Sequence, residues 1–196
     1  MAKKFLHACC GLLMLALGTW GSTAQAQVVV AAYGSCGWKW AAPTMSFDPL
    51  VVASVGFNDS GWSDGCAPFV ASWGCAPPGT VLPEDKGVIV IRRRIFNAGP
   101  STVAHLSVKG RWQLWTYWNG HDGSAGMFGN ACPATDGPTQ SFTLDHGDNV
   151  VMVRGASFVT TNPTEQIGGY IDIQVTADQF TGVTEQTWGR LKILYR

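Results

Sequence analysis

The segment Arg111-Trp-Gln-Leu-Trp-Thr-Tyr-Trp-Asn-Gly-His-Asp-Gly123 is the strongest indicator of the fold of this chain. Its Trp, Tyr, Thr and Leu residues favour a β-strand over positions 111–118. Asn119-Gly120 comes next and readily adopts the positive φ angles of a tight hairpin turn, so the chain is expected to reverse there. Alternation places one set of side chains on a single face: Trp112, Leu114, Thr116 and Trp118. Neither face is plainly polar, which predicts a strand buried between two layers or one that meets a ligand at its end.

Further strands with turn signals between them lie on both sides of this segment. They are predicted at Gln27–Tyr33, Val88–Phe96, Thr102–Val108, Ser141–Leu144, Val150–Ser157 and Tyr170–Ala177. A glycine-rich loop is predicted over Gly120–Gly137, and an irregular region rich in Pro and Gly extends from the first strand to about Asp85. No segment of useful length has a helical period. Short, evenly spaced strands of this kind predict an all-β antiparallel sandwich.

Residues 1–26 have the pattern of an export signal. Lys3 and Lys4 precede an apolar run from Phe5 to Leu17, and Ala24-Gln25-Ala26 is a small-residue cleavage site. Cleavage would leave residues 27–180 as one domain, large enough for a real core. No later apolar run approaches the roughly 20 residues needed to span a bilayer. The sequence therefore predicts a secreted or extracytoplasmic protein, in the periplasm or at the cell surface if it is bacterial.

The mature chain would contain four cysteines: Cys36, Cys66, Cys75 and Cys132. An even number in an exported chain favours two disulfides. Three pairings are open, and the ease of closing a short loop favours Cys66–Cys75 together with Cys36–Cys132. A four-cysteine zinc site is the alternative, but the chain has no C-x-x-C pair and the spacing is irregular.

The charge argues against nucleic-acid binding, and the motif content gives no support for an enzyme. Without the two lysines of the signal, 11 basic residues face 13 acidic ones, a net charge of about −2, whereas nucleic-acid binders need a basic excess. No nucleophile elbow, phosphate loop or metalloprotease motif is present. The mature histidines lie far apart; His105, in an apolar strand, is interpreted as a satisfied, partly buried residue. We therefore predict a non-catalytic protein.

Three adjacent arginines, Arg92 to Arg94, occupy one predicted strand. Because side chains alternate, whichever face of this strand is inward must carry charge, and a buried charge requires a partner. A salt bridge to Asp59 or Asp172 is the favoured interpretation. Contact with an anion or with sugar hydroxyls is the alternative.

Several segments, taken in order, resemble the galactose-binding-like jelly rolls. They are Trp38-Lys-Trp40, Phe57-Asn-Asp-Ser-Gly-Trp62 with Ala67-Pro-Phe69, Ile91-Arg-Arg-Arg-Ile-Phe96, Trp118-Asn119-Gly120 and Gly147-Asp-Asn149. The resemblance covers most of residues 30–177. It implies a jelly-roll β-sandwich of about eight or nine strands that binds carbohydrate through loops at one end. It departs from the family pattern where Lys109-Gly110-Arg111 replaces an acidic pair, so a structural calcium ion is not supported by the sequence.

The favoured function is that of a secreted, non-catalytic, lectin-like module that binds carbohydrate or a cell-surface glycan. The apolar face of a sugar stacks on aromatic rings, while its hydroxyls suit Asn, Asp and His. The candidate binding residues are Trp38, Trp40, Trp118, Asn119, His121 and Asp122, and the ring of Trp118 fits the core and a ligand platform about equally well. Trp38, Trp40, Trp73 and Trp118 are expected to be exposed.

Two other functions remain open. One is a structural or adhesive surface protein whose exposed aromatic residues and C-terminal segment contact a protein partner. The other is a glycan hydrolase with an unrecognised site, since no pair of carboxylates stands out. Residues 181–196 are basic and amphiphilic, and form either the strand that closes the sandwich or a tail that docks a partner.

Overall fold

The computed structural model describes residues 27–43, 47–71, 78–83, 87–128, 136–156, 169–180 and 182–183. The predicted export signal, Trp73, Cys75, Cys132 and residues 184–196 of the C-terminal segment lie outside these ranges. Of the four cysteines in the two predicted disulfides, Cys36 and Cys66 lie within them.

The described chain is nearly all β. In chain order, the strands are β1 (Val28–Ala31), β2 (Cys36–Ala41), β3 (Ser63–Cys66), β4 (Phe69–Ala71), β5 (Thr80–Val81), β6 (Val88–Asn97), β7 (Thr102–Gly110), β8 (Trp112–Trp118), β9 (His121–Phe128), β10 (Asp136–Leu144), β11 (Gly147–Ala156), β12 (Gly169–Ala177) and β13 (Gly182–Val183). One short helix, α1 (Pro49–Val52), lies between β2 and β3. Asp48 caps α1 by accepting a hydrogen bond from the backbone N–H of Leu50.

The strands form two sheets. Sheet 1 has the order β10-β7-β12-β4-β5, with β1 also paired to β12. Sheet 2 has the order β3-β2-β6-β11-β8-β9, with β13 also paired to β6. Among these pairings β4 with β5 is parallel and the others are antiparallel. The prediction of an all-β antiparallel sandwich is confirmed at this level.

The main core lies between the two sheets and follows from the alternation of side chains. In β7, Ala104, Leu106 and Val108 are buried, and in β12 the same is true of alternate residues from Ile171 to Ala177. Sheet 2 contributes buried residues to the same cluster: Ile89, Ile91, Ile95, Leu114, Val151 and Val153. Each fully buried aliphatic side chain of this kind contributes about 1.5–3 kcal/mol of stability.

A second cluster covers the outer face of sheet 2. Residues 47–62 lie over this face, where Val52 and Ala53 pack with Val90, Tyr117 and Met152. Phe57 and Trp62, from the segment that resembles the jelly-roll family, pack against the same cluster with their ring centroids 5.6 Å apart. The outer face of sheet 2 is therefore a second, smaller core and does not face solvent there.

Arg92 anchors this covering segment. Its side chain is fully buried, its guanidinium pairs with Asp59, and it donates hydrogen bonds to the carbonyl oxygens of Val52 and Ser54 at 3.1 and 2.7 Å. Burial lowers the pKa of Arg92, while the charge of Asp59 opposes this change. The structural interpretation of the three arginines, including Asp59 as partner, is confirmed.

The other two arginines alternate as predicted. Arg94 donates to the carbonyl oxygen of Phe57 at 2.7 Å, on the same face as Arg92. Arg93 faces the opposite side, donates to the carbonyl oxygen of Cys36 at 2.8 Å and lies 5.4 Å from the ring centroid of Trp38.

The disulfide joins Cys36 to Cys66, so the predicted pairings Cys66–Cys75 and Cys36–Cys132 are wrong. β2 and β3 pair antiparallel, and their register places Cys36 directly opposite Cys66. Closing a short loop is entropically easier, but strand pairing has already brought these two cysteines together at no further cost in loop closure.

The hairpin predicted at Asn119-Gly120 is present and joins β8 to β9. Asn119 and Gly120 have φ angles of 46° and 81°. The glycine-rich loop predicted from Gly120 is wrong over 121–128, because this segment pairs with β8 as a strand. Gly123 is required there by close approach: a Cβ would lie 2.4 Å from Thr116 Oγ1.

Candidate functional site

Of the tryptophans predicted to be exposed, the three that the structure describes are buried or half-buried. Trp38 is fully buried in the core between the sheets, so its predicted exposure is wrong. Its position in β2 explains this, because an alternating strand turns that ring inward between Gly37 and Lys39. Trp40 and Trp118 are half-buried and pack against the same core, where Trp118 lies 6.1 Å from the ring of Phe142.

Asn119 is committed to the fold of the hairpin. Its Oδ1 accepts a hydrogen bond from the backbone N–H of Val150 at 2.7 Å, and its Nδ2 donates to Asn149 Oδ1 at 3.0 Å. The N–H of Gly120 donates to the carbonyl oxygen of Ala53 at 3.0 Å. Asn119 therefore holds the turn in place, and its amide has structural partners at both ends.

His121 and Asp122 are the exposed members of the predicted set. The rings of Trp118 and His121 lie 6.2 Å apart, so Trp118, His121 and Asp122 form one patch, here called the hairpin patch. Trp38 and Trp40 belong to β2, which β6 and β11 separate from β8. At about 4.8 Å for each step between strands, the two groups lie roughly 14 Å apart and do not form one site.

The outer face of sheet 1 is different: it is largely polar, and its outward side chains belong to neither hydrophobic cluster of the described residues. We define the polar face as the outward side chains of three adjacent strands, which are Thr139, Ser141 and Thr143 of β10, His105, Ser107 and Lys109 of β7, and Asp172, Gln174 and Thr176 of β12. The strand register aligns them in rows across the sheet. One row is Thr139–Ser107–Gln174 and the next is Ser141–His105–Thr176.

A groove of about 320 Å³ lies on the polar face. Its polar lining consists of Tyr33, Ser107, Lys109, Thr139 and Gln174. The Lys109 ammonium lies 4.4 Å from the ring centroid of Tyr33, and Ser107 Oγ lies 3.2 Å from Thr139 Oγ1. This volume is at the lower end of the range in which proteins bind small ligands, roughly 300–1,000 Å³.

Asp172 fixes the turn that carries Tyr33 to the groove. Its Oδ1 accepts hydrogen bonds from the backbone N–H groups of Gly34 and Ile173, each at 2.9 Å. Burial raises the pKa of Asp172, while these hydrogen bonds and the charge of Lys109 act in the opposite direction. The carboxyl group therefore has a structural role behind the groove.

The second row of the polar face carries an imidazole with partners on both sides. His105 Nδ1 lies 3.0 Å from Ser141 Oγ, and His105 Nε2 lies 3.5 Å from Asp178 Oδ1. Gln27 Nε2 donates to the same oxygen of Asp178 at 3.4 Å. His105 is thus partly buried and hydrogen-bonded, as the sequence predicted.

Within the described ranges, no group of three or more His, Cys, Asp or Glu side chains has the arrangement of a metal site. The same part of the chain contains no helix with the length and apolar character needed to cross a bilayer.

Sequence reasoning missed the polar face because its members come from three separate segments. A signal for it was present in β7, where His105, Ser107 and Lys109 alternate with Ala104, Leu106 and Val108. Period-two alternation of this kind marks one face as core and the other as solvent-facing. The sequence did not reveal that β10 and β12 flank β7 and extend its polar stripe into a surface.

Comparison with known proteins identifies no family for this chain. No protein-family model matches it, and no characterised protein gives a significant sequence match.

Proposed function

We propose that this protein is an exported, lectin-like β-sandwich module of the galactose-binding-like jelly-roll type that binds carbohydrate. The observation that carries the proposal is the groove on the polar face, where hydroxyl, amide, ammonium and phenol groups converge. These groups are suited to a ligand that presents many hydroxyls, since each sugar hydroxyl both donates and accepts hydrogen bonds.

The lining residues are held on a rigid support. Ser107, Thr139 and Gln174 stand on paired strands whose opposite side chains are buried in the core. A site built on paired strands loses little conformational freedom on binding, and this favours affinity. Tyr33 adds an aromatic ring, and aromatic rings pack against the apolar face of sugars.

The Cys36–Cys66 disulfide supports export, because such bonds persist in oxidising compartments. The leader pattern of residues 1–26 agrees with this location.

The test is a glycan-array screen of the oxidised chain, followed by titration of each hit. Gln174→Ala removes an amide from the groove, and we expect it to weaken binding at least about tenfold, or about 1.4 kcal/mol. Gln179→Ala is the matched control, because Gln179 is an exposed glutamine outside the groove. His121→Ala and Asp122→Ala test the hairpin patch as the alternative position of the site.

Each outcome of the screen has a definite meaning. Loss of binding in Gln174→Ala alone supports the groove, whereas loss in His121→Ala or Asp122→Ala alone moves the site to the hairpin patch. Folded protein that binds no glycan overturns the proposal and favours the adhesive, protein-binding alternative.

A further inference from the structure

Ser141, His105 and Asp178 form a contiguous chain of polar groups on the polar face. The Ser141 hydroxyl lies 3.0 Å from one ring nitrogen of His105, and the Asp178 carboxylate lies 3.5 Å from the other. Ser141 and His105 are direct cross-strand partners in β10 and β7, and Asp178 follows the end of β12. A hydroxyl, an imidazole and a carboxylate in this order are the parts of an activated serine nucleophile.

The charge of Asp178 determines which nitrogen acts as the base. A carboxylate beside Nε2 favours the tautomer that carries its proton there, which leaves Nδ1 unprotonated and facing Ser141. Ser141 then donates its hydroxyl hydrogen to Nδ1. Gln27 donates to Asp178 and holds the carboxylate in position.

Ser141, His105 and Asp178 are accessible to a substrate. Ser141 is exposed, and the side chains of His105 and Asp178 are 24% and 42% exposed. The row Thr139–Ser107–Gln174 of the groove lies two residues away along the strands, which corresponds to about 7 Å. A group carried by a ligand in the groove can therefore reach Ser141 Oγ.

We propose that Ser141 is the nucleophile of an esterase, with His105 as its general base and Asp178 as a positioning residue. The substrate class, which rests on the proposed function, is carbohydrate that carries O-acyl groups. This activity goes beyond the non-catalytic role predicted from the sequence, where the three residues are separated by 36 and 73 positions.

The reaction balances with water as the only co-reactant. Ser141 Oγ bonds to the acyl carbon while its proton passes to His105 Nδ1; the bond from the acyl carbon to the sugar oxygen breaks, and that oxygen takes the proton from His105. Water then attacks the acyl-serine and gives a proton to His105. The carboxylic acid leaves as Ser141 Oγ recovers a proton.

The oxyanion of this reaction would be stabilised by side chains and solvent. Thr139 and Thr143 place hydroxyl donors two residues to either side of Ser141 on the same face of β10. Removal of one donor from a preformed oxyanion hole lowers kcat by about 10²–10³-fold. Here the threonine hydroxyls and solvent take the place of a preformed oxyanion hole, so we expect slow turnover.

The test combines covalent labelling with kinetics on the full chain. A fluorophosphonate probe is added and the labelled residue is located by peptide mass spectrometry, and hydrolysis of 4-nitrophenyl acetate and of an acetylated xylo-oligosaccharide is measured. We expect the label on Ser141, and a decrease in kcat/KM of at least about 100-fold in Ser141→Ala and His105→Gln. Asp178→Asn should lower kcat without weakening glycan binding. Asp178→Glu, which keeps the carboxylate, should restore part of kcat.

Two control variants change the same residue types, serine and histidine, outside the Ser141–His105–Asp178 group. Ser101 is an exposed serine 3.3 Å from Asp145, and His146 is an exposed histidine 3.0 Å from the carbonyl oxygen of Gly99. Ser101→Ala and His146→Gln should keep the wild-type rate and label.

The labelling result needs no variant, so it remains decisive if a substituted chain fails to fold. Absence of the label from Ser141 in the folded protein, or equal labelling in folded His105→Gln, overturns the proposal. Labelling of Ser141 without glycan binding retains the esterase on simple esters and overturns the proposed function. Glycan binding without labelling of Ser141 overturns the esterase and retains the proposed function.

Discussion

The side-chain amides of Asn119 and Asn149 are hydrogen-bonded to each other at 3.0 Å, and this contact joins the β8–β9 hairpin to the start of β11. Asn149 is fully buried, and its Nδ2 also donates to the carbonyl oxygens of Asp145 and Gly147 at 2.8 and 3.0 Å. Two turns that are distant in sequence are thereby fixed to one another.

Asn119→Ala should destabilise the protein by about 2–4 kcal/mol. The change leaves the N–H of Val150 and the amide of Asn149 without this partner, and it places alanine at a φ angle of 46°. Urea unfolding followed by tryptophan fluorescence measures the loss. Asn58→Ala is the control: Asn58 is exposed and accepts a local hydrogen bond from Ser60, so a loss of equal size there would contradict the prediction.

Asp59→Ala should be more damaging, at about 3–5 kcal/mol, because it leaves the fully buried guanidinium of Arg92 without its charge partner. Asp64→Ala removes the partner of Lys39 from an ion pair in which the Asp64 side chain is 83% exposed, and exposed pairs contribute about 0–1 kcal/mol. Denaturant midpoints of the two variants provide the comparison. Equal losses would show that burial does not determine the strength of the Arg92 pair.

Gly123→Ala should destabilise the β8–β9 hairpin by about 1–3 kcal/mol, since the added Cβ would lie 2.4 Å from Thr116 Oγ1 and 2.6 Å from the Thr116 carbonyl oxygen. Gly61→Ala is the matched control, because no atom lies within 4 Å of a Cβ at that position. Thermal unfolding and amide exchange in β8 measure the effect. Unchanged exchange in Gly123→Ala would refute the close approach.

Stability should fall with increasing pH on account of Asp172. Burial raises the pKa of this group in the folded state above the ordinary value of 3.8, so the folded state binds its proton more tightly than the unfolded state. The stabilising contribution is fully present below about pH 3.8 and is lost as pH rises through the raised folded pKa.

Asp172→Asn should flatten this fall, because the amide oxygen still accepts from Gly34 and carries no charge. Melting temperatures from pH 3 to 7 test the difference, with the exposed Asp148→Asn as a control for removing a surface carboxylate. An identical pH slope in wild type and Asp172→Asn would contradict the assigned role.

Local sequence signals predicted the hairpin and the strands β1, β6 to β8 and β10 to β12, but the irregular region and the glycine-rich loop predicted elsewhere contain β2 to β5 and β9. Residues 112–118 alternate and end in Asn-Gly, so both β8 and its turn could be predicted from a few neighbouring positions. The three arginines predict a buried ion pair, and Asp59 is one of the two partners predicted for it. These features depend on short-range pattern and on the energetic cost of an unpaired buried charge.

The disulfide and the candidate site depend on which strands become neighbours. Cys36 and Cys66 meet because β2 pairs with β3, and His105 meets Ser141 because β7 pairs with β10. Residue spacing contains no information on either pairing. The same holds for Trp38: the motif Trp-Lys-Trp can be recognised in the sequence, but the inward direction of its first ring follows from the register of the sheet.

The contrast between the two outer faces has an evolutionary consequence. Sheet 2 is closed by residues 47–62, five of whose side chains belong to the second cluster, whereas Ser107, Thr139 and Gln174 on sheet 1 belong to neither cluster. Surface substitutions away from special features change stability by only about 0.5 kcal/mol. The side chains of the polar face can therefore diverge between descendants of this protein through single substitutions, while the opposite side of the molecule preserves the fold.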